Sequence, residues 1–326
     1  MRVLIWITVL AAALWSGLWF AASSSIRSGT ESWFAEQAAR GVTAEKSSLV
    51  VQGFPSRVDV TVSDLVLADP SQGTGWRTPF VQVFSMSWKP WHLIAALPTG
   101  QVVLLPGQEI SLDGQGMLAS LELHPGVDLA LNRSRFEAKV LQLISSAGWS
   151  VGAEQVFAAT EEDPSVVNTH RLGLKLQGIT PDPALAAASG LPARAELLHL
   201  DAYASFTAPL DRHAGQSNPR LSILDLREAR LDWGSLQIKA GGRMAAGADG
   251  LAEGVIEVRI AGWRQMLPLM VALGRTTADQ AKVLERGLEV LAKAGGDPEV
   301  LNLTLRASGG QMALGPLPLG PAPRMN

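Results

Sequence analysis

Cysteine is absent from all 326 residues. That excludes disulfide staples, thiolate-bound zinc, cysteine nucleophiles and iron–sulfur ligation together. Tyrosine occurs once, charged residues make up 17% of the chain, and the net charge is −3 with no Lys/Arg block. Nucleic acid is therefore not an expected partner. Catalytic signatures are equally scarce. His92, His124, His170, His199 and His213 include no pair at metal-ligand spacing. There is no G-x-S-x-G elbow, and neither Gly241-Gly242 nor Gly309-Gly310 opens a phosphate-binding helix. Glu161-Glu162-Asp163 lacks the ordered oxygen ligands of a calcium loop, and Asp211-Arg212-His213 are neighbours in a polar loop, not a triad. A non-enzymatic protein with no cofactor and no metal is expected.

Apolar surface is what the chain has in quantity, at 47% hydrophobic residues. Val3 to Ala22 carries no charge, no Pro and a single Gly, Gly17. About 20 helical residues reach roughly 30 Å, the thickness of a bilayer's hydrocarbon core. Trp6, Trp15 and Trp19 stand towards the ends of the run, where indoles favour the membrane–water boundary. Residues 1–27 read as a membrane anchor crossing at residues 3–22, with its short N-terminal tail in the cytosol. A cleaved signal peptide stays open as the alternative, because Ala21, Ala22 and Ser23 offer a cutting site. Both readings place residues 28–326 outside the cytosol.

Residues 28–41 are expected to form a separate connecting helix. Ser28-Gly29-Thr30-Glu31 fits a capping box and Gly41 a stop. From residue 42 to 326 the period becomes two, with sub-regions expected near 42–180 and 195–326. Val58, Val60 and Val62 alternate with polar residues; Leu65 and Leu67 then occupy odd positions, which requires a bulge or turn near Asp64. Gly53-Phe54-Pro55 predicts a hairpin turn. Residues 135–147 fit a strand or a short helix equally. Leu221 to Ile260 reads as a meander with one apolar face and one wet face. Two helices come next, Trp263 to Leu273 and Thr276 to Ala294, the second started by Thr276 and Asp279. The proline-rich tail from Gly315 to Pro323 is expected not to pair.

The fold class is mainly β (α+β): an N-terminal transmembrane helix, then a long antiparallel, one-faced curved sheet with a few covering helices. Such a sheet must cover its apolar face or hold something apolar on it. Trp76, Trp88, Trp233, Leu236, Ile238, Ile256, Val258 and Ile260 are the candidate lining of an apolar-ligand groove. Core packing is the default role for the tryptophans among them.

Several local patterns resemble the domain of unknown function 2125 family of exported proteins from Gram-negative bacteria. They are Gly53-Phe54-Pro55-Ser56-Arg57-Val58-Asp59, Trp76 with Pro79, Lys89-Pro90, Leu97-Pro98, and Gly315-Pro316-Leu317-Pro318-Leu319-Gly320-Pro321-Ala322-Pro323. Ser56 stands where the family pattern suggests a second aromatic. The resemblance implies a single apolar N-terminal segment and a β-rich exported body, and no catalytic residues. Gly53, Phe54, Pro55, Arg57, Gly315, Pro316, Pro318 and Gly320 are thus expected to be structural. The Gly-punctuated meander is also similar to AsmA-like envelope proteins, whose curved sheets are thought to handle lipid. Together these imply an inner-membrane, single-pass protein with a periplasmic C-terminal domain, or a periplasmic one after cleavage. Two roles are expected: binding lipid or another apolar ligand in a sheet groove, or serving as an envelope scaffold or assembly factor that binds proteins by a sheet edge or apolar patch.

Overall fold

The computed structural model describes residues 1–325. It has the expected class, with one large antiparallel sheet of seventeen strands, an N-terminal apolar helix and a few further helices. The chain divides into two compact units, residues 1–123 with 142–149, and residues 124–141 with 150–325.

The first unit opens with α1, Arg2–Ala39. This is one unbroken helix, so the separate connecting helix expected over residues 28–41 is its distal part. Nothing between Ala22 and Ser28 breaks a helix. The hydroxyls there turn back on the preceding turn instead of capping a new one: Ser25 Oγ donates to the Ala21 carbonyl at 2.9 Å and Thr30 Oγ1 to that of Ile26 at 2.8 Å. The stop at Gly41 is as expected, with a φ of 82°. Seven whole strands follow in the unit: β1 Thr43–Glu45, β2 Ser48–Gln52, β3 Arg57–Asp69, β4 Thr74–Met86, β5 Lys89–Leu97, β6 Gln101–Leu105 and β7 Gln108–Leu123. β2 pairs with β3 around the Gly53-Phe54-Pro55 turn, then β3 with β4 and β4 with β5; β5 and β6 both pair with β7. Asp64, at φ 49°, is skipped in the β3–β4 register between Ser63 and Leu65. The register is the same on both sides of it, with Ser63 opposite Phe80 and Leu65 opposite Thr78, so Asp64 interrupts the ladder without the one-residue shift of a bulge.

The division between the units falls inside β8, Leu131–Ser145, which settles the 135–147 ambiguity in favour of a strand. The second unit continues with β9 Ser150–Glu162, β10 Thr169–Pro181, α2 Pro183–Ser189, β11 Ala195–Phe206, α3 Ala214–Ser217, β12 Leu221–Trp233, β13 Leu236–Ala246 and β14 Ala252–Ala261. After a 3-10 turn at Trp263–Gln265 come α4 Met266–Ala272, α5 Ala278–Ala294, β15 Val300–Ser308, β16 Gln311–Leu314 and β17 Leu317–Pro321. β9 through β17 pair in sequence order. The compact units therefore do not separate between residues 180 and 195, because β10 and β11 pair along most of their length. α5 starts one residue later than the sequence suggests. Thr277 caps it with Gln280 in a reciprocal box, and Asp279 instead adds charge to the first turn. The tail also departs from expectation. Gly315-Pro316 makes a hairpin, and β17 pairs with β16 despite Pro318, with a register shift beside Ala313. Ala322 is then buried, and Ala252 N donates to the Pro323 carbonyl.

Candidate functional site

Register decides which side chains share a face, and in both units one face is almost purely apolar. In the first unit a row crosses five strands through Val51, Val60, Val83, Ala95 and Ala119. A flanking row holds Leu49, Val62 and Val81, and the other holds Val58, Ser85, Leu93 and Leu121. Val58 is buried and the rest are half-buried. The opposite face is mixed, with Asp59, Thr61, Gln82, Phe84 and Ile94.

In the second unit the rows run further. One passes through Ala158, Leu174, Leu200, Ala229, Ala240, Val258 and Leu303. Its neighbour passes through Val156, Leu176, Leu198, Leu231, Ile238, Ile260 and Leu301. The third carries Leu172, Ala202, Leu226, Gly242, Ile256 and Leu305. Odd and even positions segregate because the strands keep one register from β9 to β15, interrupted chiefly by a bulge after Leu226.

The chain's own elements fill part of this face. α2, α4 and α5 close over Trp233, Leu236, Ile260, Leu301 and Leu303, with Leu267, Leu288 and Ala292 as the facing side chains. Trp263 and Leu236 have no exposed surface, and the Trp263 indole donates to the Pro298 carbonyl at 3.1 Å. The C-terminal segment covers Met244 and Ala307 through Ala322, with Ile256 and Leu305 packed alongside. Beside these covered regions, towards β9, Leu172, Leu174, Leu198 and Leu200 of β10 and β11 and Leu231 of β12 stay half-buried and belong to neither packed cluster.

The candidate lining residues therefore separate. Trp233, Leu236 and Ile260 are core under the helices, Ile238 and Val258 pack against that core, and Ile256 lies by the C-terminal segment. Trp76 and Trp88 belong to the first unit. Trp76 is half-buried and donates to Gln101 Oε1 at 3.0 Å, whereas Trp88 is 60% exposed in the β4–β5 turn. Sequence reasoning misses the leucines of β10 and β11. Their alternation is visible, but pairing partners are needed to show that they continue the rows of β12–β15.

The wet face of the second unit holds a lattice of ion pairs. Arg171 grips Asp201 through Nε and Nη2, both at 2.8 Å. This hydrogen-bonded cation holds the Asp201 carboxyl below its usual range. Arg133 pairs with Glu161, and Arg230 with Asp232. Gly173 leaves a hollow of about 330 Å³ among Arg133, Arg135, Glu161, Arg171 and Asp201. His170 is buried beside Phe206, and desolvation pushes its pKa down. Among the described residues no group of three or more His, Asp or Glu is placed to hold a metal ion.

The Gly53–Arg57 turn does more than join two strands. It docks onto α1: the Trp15 indole donates to the Pro55 carbonyl at 2.9 Å and that of Trp19 to the Arg57 carbonyl at 2.7 Å. Phe54 stacks on Phe20 and meets Trp19 edge-on, each with ring centroids 5.5 Å apart. Gly53 permits the turn, because at φ 108° a Cβ would stand 2.9 Å from the Arg57 carbonyl oxygen. The other motif positions, Gly315, Pro316, Pro318 and Gly320, build the β16–β17 hairpin. A family model described as an uncharacterised protein conserved in bacteria (DUF2125) matches residues 19–323. No curated protein matches the chain.

Proposed function

The chain belongs to the DUF2125 family, and from that premise we propose that it is a membrane-tethered protein of the cell envelope whose one-faced sheet holds the acyl part of a lipid or a comparable apolar ligand. The supporting observation is the half-buried stretch of the second unit's apolar face on β10 and β11, where Leu172, Leu174, Leu198 and Leu200 lie beside the covered regions and outside both packed clusters. Removing about ten ligand methylenes from water there contributes on the order of 8 kcal/mol gross, before the cost of immobilising the ligand. α1, with its apolar first half, supplies the tether, and the β-rich body then lies on the periplasmic side of the inner membrane.

The test is native mass spectrometry of the full chain released from mild detergent, with lipids extracted and identified in parallel. Stoichiometric lipid on the wild-type chain, lost from a folded Leu200→Asp variant, supports the proposal. Wild-type protein free of lipid, and unprotected by added phospholipid, overturns it. Whole-cell crosslinking to a stoichiometric protein through the same face would instead favour the scaffold role.

A further inference from the structure

The docked turn lies at a height on α1 that has a consequence for the bilayer. Trp15 and Trp19, which hold Pro55 and Arg57, are inside the charge-free run Val3–Ala22, not beyond it. At about 1.5 Å per residue, Trp19 is roughly 5 Å and Trp15 roughly 10 Å inside the level of Ala22. Sliding α1 outward until the turn is fully in water would leave residues 3–14 in the hydrocarbon. That is about 18 Å of helix against the roughly 30 Å required. The turn must therefore share the bilayer with the helix.

Its surface suits that position. The β4–β5 turn is fastened to it, with Ser87 N donating to the Ser56 carbonyl at 3.0 Å and Ser87 Oγ to that of Pro55 at 3.1 Å. Phe54, Met86 and Trp88 project from these two tips, 47%, 44% and 60% exposed. Behind the tips, Arg57 and Lys89 begin β3 and β5; Arg57 pairs with the buried Asp59 and Lys89 with Glu122. Apolar tips backed by basic side chains match the order of acyl chain and phosphate met on leaving a leaflet.

We infer that Phe54, Met86 and Trp88 form a foot inserted into the acyl–headgroup boundary of the leaflet from which the body emerges, fixing that body's first unit against the membrane. The occupant of this patch is lipid, because the patch is continuous with the apolar run of α1 and lies at its depth. The inference rests on the tether proposed above.

The absence of native cysteine makes the test direct. Phe54→Cys, Met86→Cys, Ser71→Cys and Leu10→Cys are labelled singly with a polarity-sensitive fluorophore, in the full chain reconstituted into phosphatidylethanolamine–phosphatidylglycerol vesicles. Ser71 lies past the far end of the thirteen-residue β3, about 40 Å from the foot. Labels at positions 54 and 86 should be quenched by nitroxides high on the acyl chain and shielded from iodide, with position 71 showing the reverse. Ser56→Cys replaces Phe54→Cys if that variant does not fold, since it leaves the Phe54 stack intact. Iodide access at 54 and 86 equal to that at 71 overturns the foot, as does shielding without acyl-chain quenching, which would mean a protein cover. The Leu10 label separates the two ideas. Deep quenching there with an aqueous foot leaves the tether standing, whereas iodide access at Leu10 removes the tether itself.

Discussion

If the second unit's apolar face is filled beneath its helices and open beside them on β10 and β11, equal truncations at the two places must cost different amounts. Leu236 has no exposed surface and sits under α4 and α5 with Trp263 and Leu301. Leu236→Ala removes its buried methyl groups and leaves a cavity that its packed surroundings close only in part, so the loss should be about 3 kcal/mol. Leu200 is on the same face but half-buried and outside both packed clusters. Leu200→Ala gives up about half of a leucine transfer energy, on the order of 1 kcal/mol, with no enclosed cavity. For a unit of this size these losses correspond to unfolding midpoints lowered by about 6–12 °C and about 2–4 °C. Thermal unfolding of the delipidated full chain in mild detergent, followed by tryptophan fluorescence, reads the difference. Equal shifts would show that the face at β10 and β11 is as closely packed as it is beneath the helices, which removes the case for a groove.

Three further outcomes rest on particular contacts. Trp19→Phe keeps an aromatic ring against Phe54 but strips the donor from the Arg57 carbonyl; a net loss of about 1 kcal/mol at this contact should appear as faster amide exchange in residues 53–57, and unchanged exchange refutes the docking. Gly53→Ala places a Cβ against the Arg57 carbonyl at a φ of 108°; strain of about 1–3 kcal/mol should raise iodide access to a Met86→Cys label, and wild-type access counts against the role given to the turn. His170 has its pKa lowered first by burial, with Glu162 opposing. Its contribution to stability is complete above the unfolded pKa of about 6.5 and declines as pH falls from there toward the folded value, because the unfolded chain takes up the proton first. His170→Gln should flatten that decline, and a slope identical to wild type would show that another group titrates.

Alternation alone makes most of the strands legible, and the interruption at Asp64 falls where the apolar residues move from even to odd positions, although the β3–β4 register passes through it without a one-residue shift. What stays hidden depends on partners distant in sequence. The Ser28 capping pattern is sound chemistry in the wrong context: a helix already running through Ala22 satisfies the same backbone donors, so nothing remains for the box to cap. The expectation for the proline-rich tail rests on its missing donors, yet β17 pairs with β16, with Pro318 opposite Ala313 beside a register shift, the kind of irregular place in a sheet where proline is tolerated. The candidate lining comes mostly from the most regular meander. That regularity also makes the meander a good seat for α2, α4 and α5, so several of its most apolar residues are core.

The turn and the helix bear on each other's identity. Residues 3–22 taken alone have the composition of either an anchor or a leader, and no count of apolar residues separates the two. The contacts of α1 add what the proposed tether would require. Trp19 is 7% exposed and gives its indole hydrogen to the Arg57 carbonyl at the start of β3, a contact that only a retained helix keeps. The matched family region also opens at Trp19, so the residue that α1 buries against the turn lies within the matched stretch. Cutting after Ala22 would remove Trp15, Trp19 and Phe20 at once, leaving Phe54 without its stacking partner and the Pro55 and Arg57 carbonyls without their indole donors. On the proposed tether, retention of α1 would serve the folded first unit as well as the bilayer. N-terminal mass analysis of the chain recovered from membranes should find residues 1–22 still attached, and a mature form beginning near Ser23 would dismantle both the docking and the foot that depends on it.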